Sequence, residues 1–99
     1  MNGERLRVLV IGAHPDDPDI CCGGTAILWA AAGHVVKFVS TTSGDTGHQA
    51  IGGIELARRR QAEAQASAKV AGIAEYQLLD NHTGELEPNV ANRRALIRL

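Results

Sequence analysis

Residues 5–13, RLRVLVIGA, form a nearly continuous apolar run rich in β-branched side chains. A run of that kind predicts a strand buried on both faces, and such strands occur in parallel sheets lying under helices. A parallel sheet needs crossover helices, and the rest of the chain supplies the patterns for them. From Pro18 to about Ala32, the residues Ile20, Gly24, Ile27, Leu28 and Ala31 recur at helical spacing and predict one apolar face, with Gly33 as the stop. HVVKFVSTT, residues 34–42, predicts a second strand, and SGDTGHQAIGG after it predicts a loop of about ten residues, longer than most α/β connections. Ile54 to Ala71 is rich in strong helix formers and ends at Gly72; the alanines at 57, 64, 68 and 71 make a narrow face able to lie close to a sheet. AEYQLLD predicts a third strand, NHTGELEP a turn, and Pro88 the opening of a third helix, NVANRRALIRL.

The order β-α-β-α-β-α predicts a Rossmann-like three-layer α/β sandwich with a parallel sheet and right-handed crossovers. Val90, Ile97 and Leu99 carry a helical apolar pattern to the last residue with no glycine or proline stop behind it. A three-strand sheet with an uncapped final helix leads us to expect that residues 1–99 are the N-terminal part of a single larger α/β domain, truncated after the third βα unit. A net charge of -1 gives nucleic acid no electrostatic handle. No apolar run approaches the roughly 18 residues of a spanning helix, so neither nucleic acid nor membrane is expected as a partner, and a cytoplasmic location is. Cys21 and Cys22 are adjacent at a helix start, poorly placed to bridge each other, and are expected to be small buried packing residues.

In a parallel sheet the ligand crevice lies at the carboxyl ends of the strands. IGAHPDDPDICCGG, residues 11–24, leaves the first strand at that end, and the loops carrying Asp45, His48, His82 and Glu85 reach the same edge; His34 falls on the opposite one. Helix initiation accounts for part of the cluster. Asp17 is expected as N-cap, Pro18 as first helical residue and Asp19 as a first-turn acid, together stabilising by roughly 1–2 kcal/mol. His14 and Asp16 are left over. Two adjacent carboxylates and an imidazole at a crevice repel or desolvate one another unless a divalent cation joins them. An imidazole and a carboxylate suit Zn2+, which typically takes three protein ligands in catalytic sites and lowers the pKa of its water to about 7. His14 and Asp17 can be two ligands and Asp16 the general base. His48 and His82 are on the correct edge for a third, although a loop histidine is more often a solvated or capping residue.

The segments IGAHPDDPDICCGGTAILWAAAGHVVKFVSTTSGDTG, RRRQAEAQASAKVAGI and LLDNHTGELEPNVANRR together resemble the N-terminal half of the PIG-L/LmbE-like family of zinc-dependent N-deacetylases. The resemblance implies hydrolysis of an N-acetyl group on a small, glucosamine-containing substrate. It implies that His14 and Asp17 bind zinc, that Asp16 is the general base, and that Arg60, with Glu63 three residues on, makes substrate or structural contacts. Asp45 and His82 are further candidates for substrate binding. The chain departs from the family pattern at Pro18, where glutamate is common, and at Thr83, where aspartate often precedes Gly-Glu-Leu. The family's H-x-x-H segment, with a third zinc ligand and a histidine acting on the leaving amine, is expected beyond Leu99, so this chain alone is expected to bind zinc weakly and catalyse little.

Two other classes compete. A nucleotide-binding module is disfavoured because the first strand is followed by Gly12-Ala13-His14-Pro15-Asp16 instead of G-x-G-x-x-G, and aspartates repel a pyrophosphate. The other is a non-catalytic deacetylase-like domain that associates, for instance as a homo-oligomer, through an exposed sheet edge.

Overall fold

The computed structural model describes residues 3–99. The elements are β1 (Arg7–Gly12), α1 (Asp17–Ala31), β2 (Val35–Ser40), α2 (Gly53–Ala71), β3 (Glu75–Leu78) and α3 (Val90–Ile97). The three strands form one parallel sheet in the order β1-β2-β3, as the α/β alternation predicts. Val10, Phe38 and Tyr76 stand side by side across it.

The core lies between the sheet and the helices α1 and α2. Val36, Phe38 and Tyr76 point into it from the strands and meet Ala26 of α1, Ala64 and Ala68 of α2, and Ile73. Phe38 and Tyr76 contact edge to face, with centroids 5.4 Å apart and planes at 87°, an arrangement favoured by the ring quadrupole. The alanine face of α2 behaves as its spacing predicts. Leu56, Ala64 and Ala68 are buried, Ala57 and Ala71 are half-buried, and Gly72 closes the helix at φ 77 with its N–H donating to the Ala68 carbonyl.

Other expectations are corrected. In β1, Val8 and Val10 are half-buried while Leu9 and Ile11 are exposed, so this strand is covered on one face only. It is an edge strand, and α1 packs on one side of it. The face that α1 buries is likewise not the one its large residues mark. Pro18 and Ala26 are buried and Cys22 and Trp29 half-buried, whereas Ile20, Gly24, Ile27, Leu28 and Ala31 are exposed. The small Ala26 lets α1 approach β2 closely, and Trp29 fills the space beside it. That choice turns Ile20 and Leu28 outward and leaves Cys21 exposed and Cys22 half-buried, not buried as expected.

Asn89, not Pro88, starts α3. Its side chain accepts the Asn92 N–H at 2.9 Å, satisfying one of the amides a helix start leaves free. Leu99 shares a cavity with Leu9, Lys37 and Glu75, which brings the chain's last residue to the sheet face away from α1 and α2. Among the described residues, no helix is long and apolar enough to cross a membrane.

Candidate active site

At the end of β1 the chain turns within four residues into α1. Gly12 makes this turn feasible, since a Cβ there would stand 2.8 Å from both Asp17 Cβ and Pro18 Cδ. Asp16 completes the turn at φ 80 and is the one non-glycine residue with positive φ among those described. The left-handed region costs most L-residues roughly 1–2 kcal/mol, although aspartate is among those found there more often.

Asp16, not Asp17, is the N-cap of α1, and its side chain makes no cap hydrogen bond. The expected capping role of Asp17 is therefore corrected. As the first helical residue it directs its carboxylate back, where Oδ2 accepts the His14 backbone N–H at 2.8 Å and lies 3.3 Å from His14 Nδ1. Two donors about 2.0–2.1 Å from a tetrahedral ion stand roughly 3.3–3.4 Å apart. Both side chains keep solvent access, at 53% for His14 and 37% for Asp17, so a cation can reach them.

Asp16 lines a cavity of about 240 Å³ with Pro15, Asp19, Arg60, Glu63 and Tyr76. Partial burial, then Asp17 and Asp19, push its carboxyl above the usual range, while Arg60 and His14 oppose the rise. Arg60 donates to Glu63 Oε1 at 2.7 Å, so the helix-face pairing and the approach to the crevice coexist in one residue. Gly44, at φ 73, wedges the loop after β2 against this wall. A Cβ there would come 2.7 Å from Pro15 Cγ and 2.9 Å from Arg60 Cγ.

A hydrogen-bonded network supports the turn from below. The Asp16 N–H donates to Tyr76 Oη at 2.9 Å, and Tyr76 Oη donates to Asp19 Oδ1 at 2.6 Å. Ser67 Oγ donates to the other oxygen of Asp19. Burial and the Asp19 carboxylate push the Tyr76 phenol well above its ordinary range, so it stays protonated.

The loops at the other strand ends are zipped to the same edge. Thr41 and Thr42 both donate to the Ala13 carbonyl, at 3.2 and 2.8 Å, and Asn81 Nδ2 donates to the Thr41 carbonyl at 2.9 Å. Asp45 is buried and gathers the turn after β3: its carboxylate meets His82 Nδ1 at 2.5 Å and accepts the Thr83 N–H at 2.9 Å. These contacts hold the Asp45 carboxyl below its ordinary value and raise the His82 imidazole. Asp45 and His82 thus meet each other but do not line the Asp16 cavity. His48 Nδ1 accepts the N–H groups of Ala50 and Ile51, the capping role common for a loop histidine. His34 Nδ1 accepts the Leu6 N–H at the far end of the sheet. Among the described residues, no three histidine, cysteine or acidic side chains converge as a metal cluster.

Sequence reasoning missed Tyr76, Ser67, Thr41 and Thr42. The two threonines had a signal, since they directly follow a strand at its carboxyl end. Tyr76 had less, because a tyrosine within a strand reads as core, and this one is core as well.

The PIG-L family model, described as GlcNAc-PI de-N-acetylase, matches residues 9–99. The chain belongs to the PIG-L family. Among curated relatives, the "1D-myo-inositol 2-acetamido-2-deoxy-alpha-D-glucopyranoside deacetylase" of Actinosynnema mirum is 32% identical over 85 residues, covering 77% of this chain and 30% of that protein. The diacetylchitobiose deacetylase of Thermococcus kodakarensis is 37% identical over 82 residues, covering 81% and 31%. The solved N,N'-diacetylchitobiose deacetylase from Pyrococcus horikoshii, complexed with its inhibitor, superposes with a TM-score of 0.83 at 34% identity, covering 91% of this chain and 34% of that one. This PIG-L chain therefore spans about a third of the length of these relatives, which are deacetylases. A 4-carboxy-2-hydroxymuconate hydratase from Pseudomonas putida also superposes, with a TM-score of 0.79 at 22% identity over 94% of this chain and 40% of that one. At that identity the likeness shows the shared fold alone.

Proposed function

We propose that this chain carries the first part of the active site of a zinc-dependent N-deacetylase acting on a small, N-acetylated, glucosamine-containing substrate. The observation that carries the reading is the His14–Asp17 pair, an imidazole nitrogen and a carboxylate oxygen 3.3 Å apart, with Asp16 within electrostatic reach of both. The donor set fits zinc, which accepts mixed nitrogen and oxygen ligands, and the spacing fits an edge of its tetrahedron. His14 and Asp17 would hold the ion as two of the three protein ligands a catalytic zinc commonly has. When bound, zinc acidifies water and polarises the amide carbonyl.

Asp16 acts as the general base, taking the proton of the attacking water. It lines the cavity next to the His14–Asp17 pair, where a general base for that water is needed. Arg60, on the cavity wall, orients the substrate through its guanidinium while Glu63 fixes the side chain. The buried Asp45 holds the turn carrying His82 and Thr83, and the exposed His82 offers a polar contact at the crevice rim. Deacetylases among its relatives favour this reaction over nucleotide binding.

The test is hydrolysis of N-acetylglucosamine-containing small molecules by the full-length protein, with acetate release as the readout. Zinc-dependent release that chelation abolishes supports the reading; absence of release from any such substrate at full zinc loading contradicts it.

A further inference from the structure

Asp16 holds a backbone conformation that its own local interactions do not secure. It sits at φ 80 and ψ -20 as the N-cap of α1, with no side-chain cap hydrogen bond. A residue in a sparsely populated region persists where its surroundings over-determine it. Here the contact comes from sixty positions away, where the Asp16 N–H donates to Tyr76 Oη at 2.9 Å.

Tyr76 is itself closely fixed. Its ring packs edge to face against Phe38 in the core, and the residue is 2% exposed. Its one phenolic proton is committed to Asp19 Oδ1, and the other oxygen of Asp19 accepts from Ser67 on α2. A phenol has one proton to donate and lone pairs to accept with. With the proton spent on Asp19, the oxygen can only accept toward Asp16. The network therefore ties the Asp16 main chain to β3, α1 and α2 at once. It also leaves Tyr76 no hydrogen and almost no surface for a substrate, so any effect on the reaction passes through Asp16.

We propose that Tyr76 is a positioning residue: its phenol oxygen, anchored by Asp19 and Ser67, holds the Asp16 main chain left-handed so that the Asp16 carboxylate faces the crevice beside His14 and Asp17. The proposal rests on the reading of Asp16 as the general base. Tyr76→Phe deletes one oxygen and keeps the ring in the core. Misplacing a catalytic group by a fraction of an ångström to an ångström reduces turnover by about 10- to 100-fold. The substrate's ground-state contacts and the zinc ligands are left alone, so kcat falls while KM and zinc content stay.

The experiment pairs two measurements on the full-length protein and its Tyr76→Phe variant. The first is amide hydrogen exchange at Asp16, read by NMR with the strand amides of Phe38 and Val39 as folding controls. The second is steady-state deacetylation with zinc content. The expected result is exchange at Asp16 about tenfold faster or more, unchanged strand amides, and a kcat loss at constant KM and zinc. Unchanged exchange at Asp16 overturns the proposal, as does faster exchange with undiminished kcat. If the wild type deacetylates nothing, the deacetylase reading fails by itself, and the exchange arm still decides whether Tyr76 holds Asp16. Should Tyr76→Phe lose its fold, Asp19→Ala, which frees the phenol but keeps the ring, is expected to give the same pattern, and its failure to do so overturns the proposal.

Discussion

Asp17 Oδ2 accepts the His14 backbone N–H at 2.8 Å while standing 3.3 Å from His14 Nδ1. One carboxylate oxygen thus fixes both the main chain and the side-chain spacing of its partner. The helix start at Asp17 and the tight turn at Gly12 set this geometry without a ligand, which is the preorganisation the proposed zinc site requires.

In the proposed zinc site, His14→Ala would remove the nitrogen donor alone, whereas Asp17→Ala would remove the oxygen donor and also release the His14 amide. Loss of partners that merely orient a ligand costs about 10- to 100-fold in metal affinity. Each variant is therefore expected to weaken zinc binding by at least that much, with Asp17→Ala the worse of the two. Competition against a chelating dye measures both.

The Asp45–His82 pair predicts a pH window. The Asp45 carboxyl is lowered by His82 and the Thr83 N–H, so its contribution is present above its unfolded value near 3.8 and is lost as pH falls through the lower folded one. The His82 imidazole is raised by Asp45, then by Glu85, so its contribution is full below about 6.5 and is lost as pH rises through the higher folded value. The pair thus holds the turn after β3 best between about pH 4 and 6.5. An NMR titration should find His82 above an ordinary histidine in the wild type and lowered toward it in Asp45→Asn, where Glu85 and Asp80 remain. An unshifted wild-type His82 would contradict this.

Gly44 should tolerate no side chain. Its φ is 73, and a Cβ added there would have Pro15 and Arg60 atoms within 2.9 Å, so backbone strain and a clash combine. Gly44→Ala is expected to cost about 2 kcal/mol or more, which lowers Tm by several degrees, by about 4 °C or more in a larger domain of roughly 150–250 residues. Thermal melts measure it; a change of about 1 °C would mean that the loop moves aside freely.

The fold was legible because alternation of strand and helix patterns leaves few topologies, and helices ending at Gly33 and Gly72 with short β-rich runs between them specify a parallel sheet. The facing of α1 was not legible. Periodicity marks Ile20, Ile27 and Leu28, but the sheet selects Ala26 for its small size, and the large residues turn outward. The site was readable where chemistry is local, at His14, Asp16 and Asp17, which lie within four positions. It was unreadable where contacts are distant. Nothing near position 76 or 67 reveals that Tyr76 and Ser67 meet Asp16 and Asp19, because that meeting is created by the β3–α2–α1 packing. The Asp45–His82 pairing likewise spans 37 positions.

The central claim is that Asp16 performs chemistry while His14 holds the metal. Zinc content and deacetylation, measured side by side on the full-length protein, Asp16→Ala and His14→Ala, test it most directly. Asp16→Ala is expected to keep its zinc and lose about 100-fold or more in turnover, and His14→Ala to lose both. Equal zinc content and undiminished turnover in all three proteins would contradict the account.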